Sequence, residues 1–138
     1  MKYSLITLLF VIILLPGCRD YLSNLETNSP PVLFTNAAEY ISGDSIIVTL
    51  SNNSTKTIYT NEVYNFAQKK INGAWEFYAS FSCNNCYEFS LVKNQAFSVK
   101  SKPINDKGVF RFVCLYGTSL GTSEENKIKL FSNEFSIN

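Results

Sequence analysis

From residue 32 onward the chain alternates apolar and polar residues with a period of two, as half-buried strands do. In SIIVTLSN, Ile46, Val48 and Leu50 fall on one face, with Ile47, Thr49 and Ser51 on the other. LFSNEFSI, residues 130–137, reads as a closing strand with Phe131, Phe135 and Ile137 on one face and Ser132, Glu134 and Ser136 opposite. GVFRFVCLYG, residues 108–117, is apolar on both faces except for Arg111, which predicts a central strand covered on both sides. VLFTN, 32–36, and AFSVK, 96–100, supply two shorter strands. Asn, Ser, Gly and Asp cluster between the runs, and no helical period, repeat or low-complexity tract appears.

The sharpest local signal is VYNFAQKKINGAWEFYASF. Asn72-Gly73 is the preferred pair for a two-residue type I′ turn, because both positions need positive φ. That turn sets Ile71 opposite Ala74, Lys70 opposite Trp75, Lys69 opposite Glu76 and Phe66 opposite Ala79. Lys69 and Glu76 then form an opposite-charge pair on the outer face. Tyr64, Phe66, Trp75, Phe77, Ala79 and Phe81 share the other face. A stripe of aromatics at strand spacing is either core or a ligand platform, and core is the expectation, with Trp75 buried.

The N-terminus has a different character. In MKYSLITLLFVIILLPGC, Lys2 precedes an apolar run of about eleven residues, roughly half of what a membrane-spanning helix needs. That is the length of a secretory signal's core. Leu15-Pro16-Gly17-Cys18 resembles the lipobox of bacterial lipoproteins, in which the cysteine thiol takes a diacylglyceryl group and becomes the first mature residue. The resemblance implies a signal over 1–17, lipidation at Cys18, and a palmitoylated envelope protein held to the membrane by its lipid. An outer-membrane or cell-surface location is expected ahead of the inner membrane. Residues 18–31, ending in two prolines, read as a polar tether reaching roughly 40 Å if extended. The domain is expected over 32–138, about 107 residues, enough for one core.

Of the 12 Lys and Arg, Lys2 lies in the signal, which leaves 11 against 11 Asp and Glu. A neutral chain without a basic block gives no footprint for nucleic acid. It also contains no histidine, so Ser–His and Cys–His catalysis are excluded. No cofactor is expected.

About seven short strands with one Trp suggest an immunoglobulin-like antiparallel β-sandwich. "YISGDSIIVTLSNNSTKTIY", a hairpin with Gly-Ala-Trp, "DKGVFRF" and a terminal "FSNEFSI" resemble, over residues 38–138, the bacterial Ig-like domains of many envelope lipoproteins. Phe110 stands where that pattern usually has tyrosine, and the cysteines are not part of it.

FSCNNCYEF places Cys83 and Cys86 three apart. Strand-like flanks lack the helix N-terminus that activates a redox Cys-x-x-Cys. Three cysteines without histidine fall one ligand short of a structural zinc site. A disulfide is the expected role. Cys83 continues the inward parity of its strand, and Cys114 lies on a strand that an Ig-like sandwich would bring near. A Cys83–Cys114 bridge would close about thirty residues and contribute roughly 3–4 kcal/mol. Cys86–Cys114 and Cys83–Cys86 are the alternatives.

These features suggest a non-enzymatic interaction module for an envelope protein or glycan. Its candidate loops are 117–127 first and 82–88 second, with Asp106, Glu124 and Glu125 as solvated turn residues. The alternatives are a protease inhibitor or enzyme accessory domain and a thiol or metal protein.

Overall fold

Period-two alternation builds an all-β domain of several sheets. The computed structural model describes residues 29–81 and 87–138. Its strands are Val32–Thr35 (β1), Glu39–Tyr40 (β2), Ile47–Asn52 (β3), Ile58–Thr60 (β4), Phe66–Ile71 (β5), Ala74–Ser80 (β6), Phe89–Leu91 (β7), Gln95–Lys100 (β8), Gly108–Tyr116 (β9), Ile128–Phe131 (β10) and Phe135–Ile137 (β11). A six-stranded sheet is ordered β2-β11-β9-β5-β6, with β10 also pairing β9. A three-stranded sheet is ordered β1-β3-β8, and β4 pairs β7. The β2–β11 pairing is parallel and the others are antiparallel. The sheets are open, and helical structure among the described residues is one 3-10 turn, Glu124–Asn126.

Eleven strands replace the expected seven or so among the described residues. β2, β4 and β7 are two or three residues long, too short for a period to register. The expected positions of the longer runs hold. Ile46, Val48 and Leu50 are fully buried, and they join Leu33, Phe110, Phe112, Phe135 and Ile137 in one cluster. The inward faces of both larger sheets therefore share a core. Phe135 stacks on Phe110 and Phe112 at 6.0 and 5.1 Å, and Tyr40 meets Phe135 edge-on at 5.6 Å.

The 72–73 turn forms as expected, with φ of +51° at Asn72 and +85° at Gly73. Lys69, Lys70 and Ile71 face Glu76, Trp75 and Ala74. Beyond them the register slips at a bulge between Ala67 and Gln68, so Phe66 faces Ser80 and not Ala79. The face assignment is the larger correction. On β9, Phe110 and Phe112 point into the core, and their β5 partners are Lys69 and Ala67. The two phenylalanines, stacked on Phe135, already fill that space, so the position against Phe112 takes a methyl group, Ala67. Phe66, Trp75 and Phe77 consequently lie on the outer face, and Trp75 is half-buried, not buried. Tyr78 packs inward on Phe110 at 5.1 Å. Past the bulge the expected parity returns: Phe81 meets Tyr64 at 5.3 Å and Phe112 at 6.2 Å. Lys69 leaves Glu76 for Asp106 at 3.6 Å, and its ammonium sits 5.5 Å from the Phe110 ring centroid.

LFSNEFSI is not one strand. β10 ends at Phe131, the chain turns through 132–134, and β11 starts at Phe135 against the other end of β9. Side chains satisfy the break: Ser132 Oγ accepts the Phe112 N–H at 2.9 Å, and Asn133 Oδ1 accepts the Thr35 N–H at 2.8 Å. Phe135 and Ile137 face inward, whereas Phe131 points out and is 43% exposed. The expected common face of these three residues is thus divided by the turn.

Candidate functional site

The outer face of the six-stranded sheet is built by the parity just described. Arg111, Val113 and Leu115 alternate outward on β9, and their cross-strand partners share that face. The partners are Gln68 and Phe66 on β5 and Phe131 and Lys129 on β10. Trp75 and Phe77 join from β6, opposite Lys70 and Gln68. Val113 is fully buried although it belongs to the outer face, because the aromatic rings of its two partners flank it. The expectation that both faces of this strand are covered is met here by side chains.

Arg111 lies at the centre of the face. Its guanidinium carbon is 4.2 Å from the Trp75 ring centroid and 4.1 Å from that of Phe131, a cation between two aromatic faces. Nε donates to Gln68 Oε1 at 2.8 Å, which fixes the plane of the group. Burial lowers the pKa of Arg111 from its ordinary value and the Glu134 charge opposes that, but a guanidinium stays charged at any working pH. Lys70 lies 5.3 Å from the Trp75 centroid and pairs with Glu134 at 3.3 Å. Phe66 and Phe77 meet at 5.9 Å, and Phe77 is 65% exposed.

Trp75 is the one tryptophan of the chain, so its fluorescence reports on this face. With two cations over the ring, iodide should be concentrated there and caesium repelled. Collisional quenching is expected to be stronger for iodide than for caesium at equal ionic strength. Equal or reversed quenching would place Trp75 elsewhere.

The sequence-derived candidates are distributed differently. Loop 117–127 joins β9 to β10, and the Gly121 N–H donates to Glu88 Oε2 at 2.9 Å, so this loop meets the described end of the 82–88 segment. The Thr122 hydroxyl donates to Ser119 O at 2.6 Å, and a Cβ on Gly117 would collide with the Thr122 side chain. Leu120 is left 72% exposed between these braces. Asp106 is engaged by Lys69, and Glu124 by Lys127 at 3.2 Å. A cleft of about 360 Å³, lined by Tyr64, Phe81, Phe89, Phe97 and Glu62 among others, opens beside the same end of the molecule.

Cys18, Cys83 and Cys86 lie outside the described residues. Cys114 is a free, buried thiol. Its Sγ is 3.8 Å from Thr60 Oγ1 and 3.6 Å from the Glu62 carbonyl oxygen. Burial pushes this thiol up to about 12, with the Thr60 contact opposing the shift. Because the folded value exceeds the unfolded one, the stabilisation is whole below about pH 9 and is lost as pH rises toward 12. Alkylation of native protein at pH 8, followed by peptide mapping, should leave Cys114 unmodified until the chain is unfolded. Recovery of the 114 peptide linked to that of Cys83 or Cys86 would show a bridge instead of the free thiol. Among the described residues no group of three or more His, Cys, Asp or Glu could hold a metal ion.

No protein-family model and no curated protein matches this sequence. The fold and the site therefore define the class: an all-β domain with an aromatic and cationic sheet face. The aromatic stripe expected as core instead supplies Trp75 and Phe77 to this outer face. Arg111 was the overlooked signal, as the one charge in an otherwise apolar central strand.

Proposed function

We infer that the chain is a non-enzymatic, lipid-anchored envelope protein whose immunoglobulin-like sandwich is a binding module for glycan or protein. The observation that carries this reading is the outer face of the six-stranded sheet, where Trp75, Phe77, Phe131 and Arg111 meet solvent in one contiguous set. Grouped exposed aromatics on a small domain mark interaction surfaces, because leaving them in water gains nothing for folding. Support for the sandwich comes from two open, largely antiparallel sheets that share a core. Support for the anchor comes from the apolar run and the lipobox-like LPGC at Cys18. The attachment is to membrane through lipid, and no nucleic acid or cofactor enters the reading.

Two measurements test it. Mass spectrometry of protein from cells should find the mature chain starting at an acylated Cys18, and Cys18→Ser should lose membrane attachment essentially completely, since acyl chains provide the hold. Processing at any other position would end the lipoprotein reading. For the binding role, the full chain should co-sediment with delipidated envelope material, and Trp75→Ala with Phe77→Ala should abolish that while preserving the thermal melt. Undiminished co-sedimentation of the double variant would refute the assignment of this face.

One observation favours a protease inhibitor as the second reading. Leu120 is presented on a loop braced by the Ser119–Thr122 and Gly121–Glu88 hydrogen bonds, as an uncleaved inhibitory loop would be. Stoichiometric block of a protease with the 117–127 loop intact would establish it; cleavage within the loop would dismiss it.

A further inference from the structure

We propose that the Trp75–Arg111–Phe131 cluster binds an acidic glycan, with the Arg111 guanidinium holding a uronic-acid carboxylate and the neighbouring rings holding the sugar faces. The proposal rests on the reading of this sheet face as a binding surface and names its ligand. Three observations carry it.

The first is the unfinished coordination of Arg111. Its Nε is used by Gln68, while its two terminal amino groups have no hydrogen-bond or ion-pair partner among the described residues. A guanidinium presents a planar fork of donors that matches the two oxygens of a carboxylate. Here the fork is already oriented by two rings and one hydrogen bond, so little side-chain entropy is left to lose on binding. Glu134, the nearest carboxylate in sequence on this face, is taken by Lys70.

The second is the charge balance. The face carries Lys70, Arg111 and Lys129 against Glu134 alone among the described residues, so it suits an anion. The third is its shape and lining. Trp75 on β6 and Phe131 on β10 close over Arg111, their ring centroids 4.2 and 4.1 Å from its guanidinium carbon, and Phe77 stands 65% exposed two residues from Trp75. The exposed Phe77 and the solvent-facing side of Phe131 offer aromatic surface to the C–H faces of a short pyranose chain, while a ring carboxylate reaches the fork between them. An acidic peptide would have to use the same fork without a counterpart for the rings, or add to the free edge of β6.

The test titrates the full chain, purified in detergent, with oligogalacturonate, with a neutral maltooligosaccharide of equal length, and with polyglutamate at one ionic strength. Trp75 fluorescence and calorimetry are the readouts. Oligogalacturonate should give a saturable response. Polyglutamate, which keeps the carboxylate but has no sugar face for the rings, should bind more weakly. The neutral sugar should bind at least about ten-fold more weakly, the loss expected for one charge-assisted hydrogen-bonded pair. Arg111→Lys keeps the charge but not the fork and should weaken binding about as much, with an unchanged thermal melt. Phe77→Ala, at a position 65% exposed, should weaken it without touching the core. Equal affinity for the neutral sugar, or full affinity in Arg111→Lys, would overturn the proposal. Preference for polyglutamate would overturn the glycan and keep the binding face. Silence toward all three probes would also overturn the proposal, while envelope co-sedimentation of the Trp75 and Phe77 variant would still decide separately whether the face binds.

Discussion

Phe112→Ala is expected to remove about 3–5 kcal/mol of stability, a large share of what a domain this size possesses. Phe112 is fully buried in the middle of β9. Its ring lies 4.5 Å from Tyr64, 5.1 Å from Phe135 and 6.2 Å from Phe81. Those rings come from separate segments of the chain, and Phe135 is held in the sheet through its pairing with Phe110. Phe135 cannot move into the vacated space without breaking its ladder with β9, so a cavity persists and its cost adds to the lost burial. The melting temperature should fall by roughly 15–30 °C for a domain of about a hundred residues. Phe112→Leu, which refills much of the volume, should lose about half as much. A fall of only a few degrees in a far-UV circular dichroism melt of Phe112→Ala would mean that the three rings do not form one core.

Asn52 carries the second large effect. Its side chain is fully buried, yet all four of its hydrogen-bonding positions are used. Nδ2 donates to Lys56 O at 2.8 Å and to Leu91 O at 2.7 Å. Oδ1 accepts from Ser54 N at 3.0 Å and from Ser54 Oγ at 2.7 Å. One side chain thus closes the 52–56 turn and ties the end of β3 to β7. Asn52→Ala strands the buried Leu91 carbonyl and the Ser54 N–H, and each orphaned group costs about 1–3 kcal/mol. A loss of about 2–4 kcal/mol is expected in urea denaturation. Asn52→Asp is the sharper probe. At neutral pH it would set a carboxylate against two carbonyl oxygens, and burial would raise its folded pKa above the unfolded value. The deficit relative to wild type should therefore shrink as pH falls through that raised value, since the protonated acid regains a donor. A pH-independent deficit would show that Asn52 is not buried among those carbonyls.

Both predictions separate two kinds of information. The strand at 46–50 was legible in the sequence because alternation of Ile46, Val48 and Leu50 with polar residues needs only the two-residue period of the backbone. The Asn72-Gly73 turn was legible for an equally local reason, the positive φ that both residues accept. GVFRFVCLYG announced its central position by being apolar on both sides. Asn52, by contrast, looks like a solvated turn residue until Leu91, thirty-nine positions away, is brought to it.

Alternation says that the two faces of a hairpin differ, and it does not say which faces inward. That choice belonged to the neighbouring strand. Phe110, Phe112 and Phe135 occupy the core volume, so β5 presents Ala67 to it and turns Phe66 outward, with Trp75 and Phe77 on the same side. Likewise, LFSNEFSI keeps its period in sequence, but side-chain bonds from Ser132 and Asn133 to Phe112 and Thr35 break it in space and send Phe131 to the opposite face from Phe135. The sequence by itself determined where strands and tight turns form, because those depend on φ, ψ and neighbours one or two residues away. Only the tertiary structure decided which aromatics became core and which were left around Arg111, because that depends on the volume that distant strands leave free.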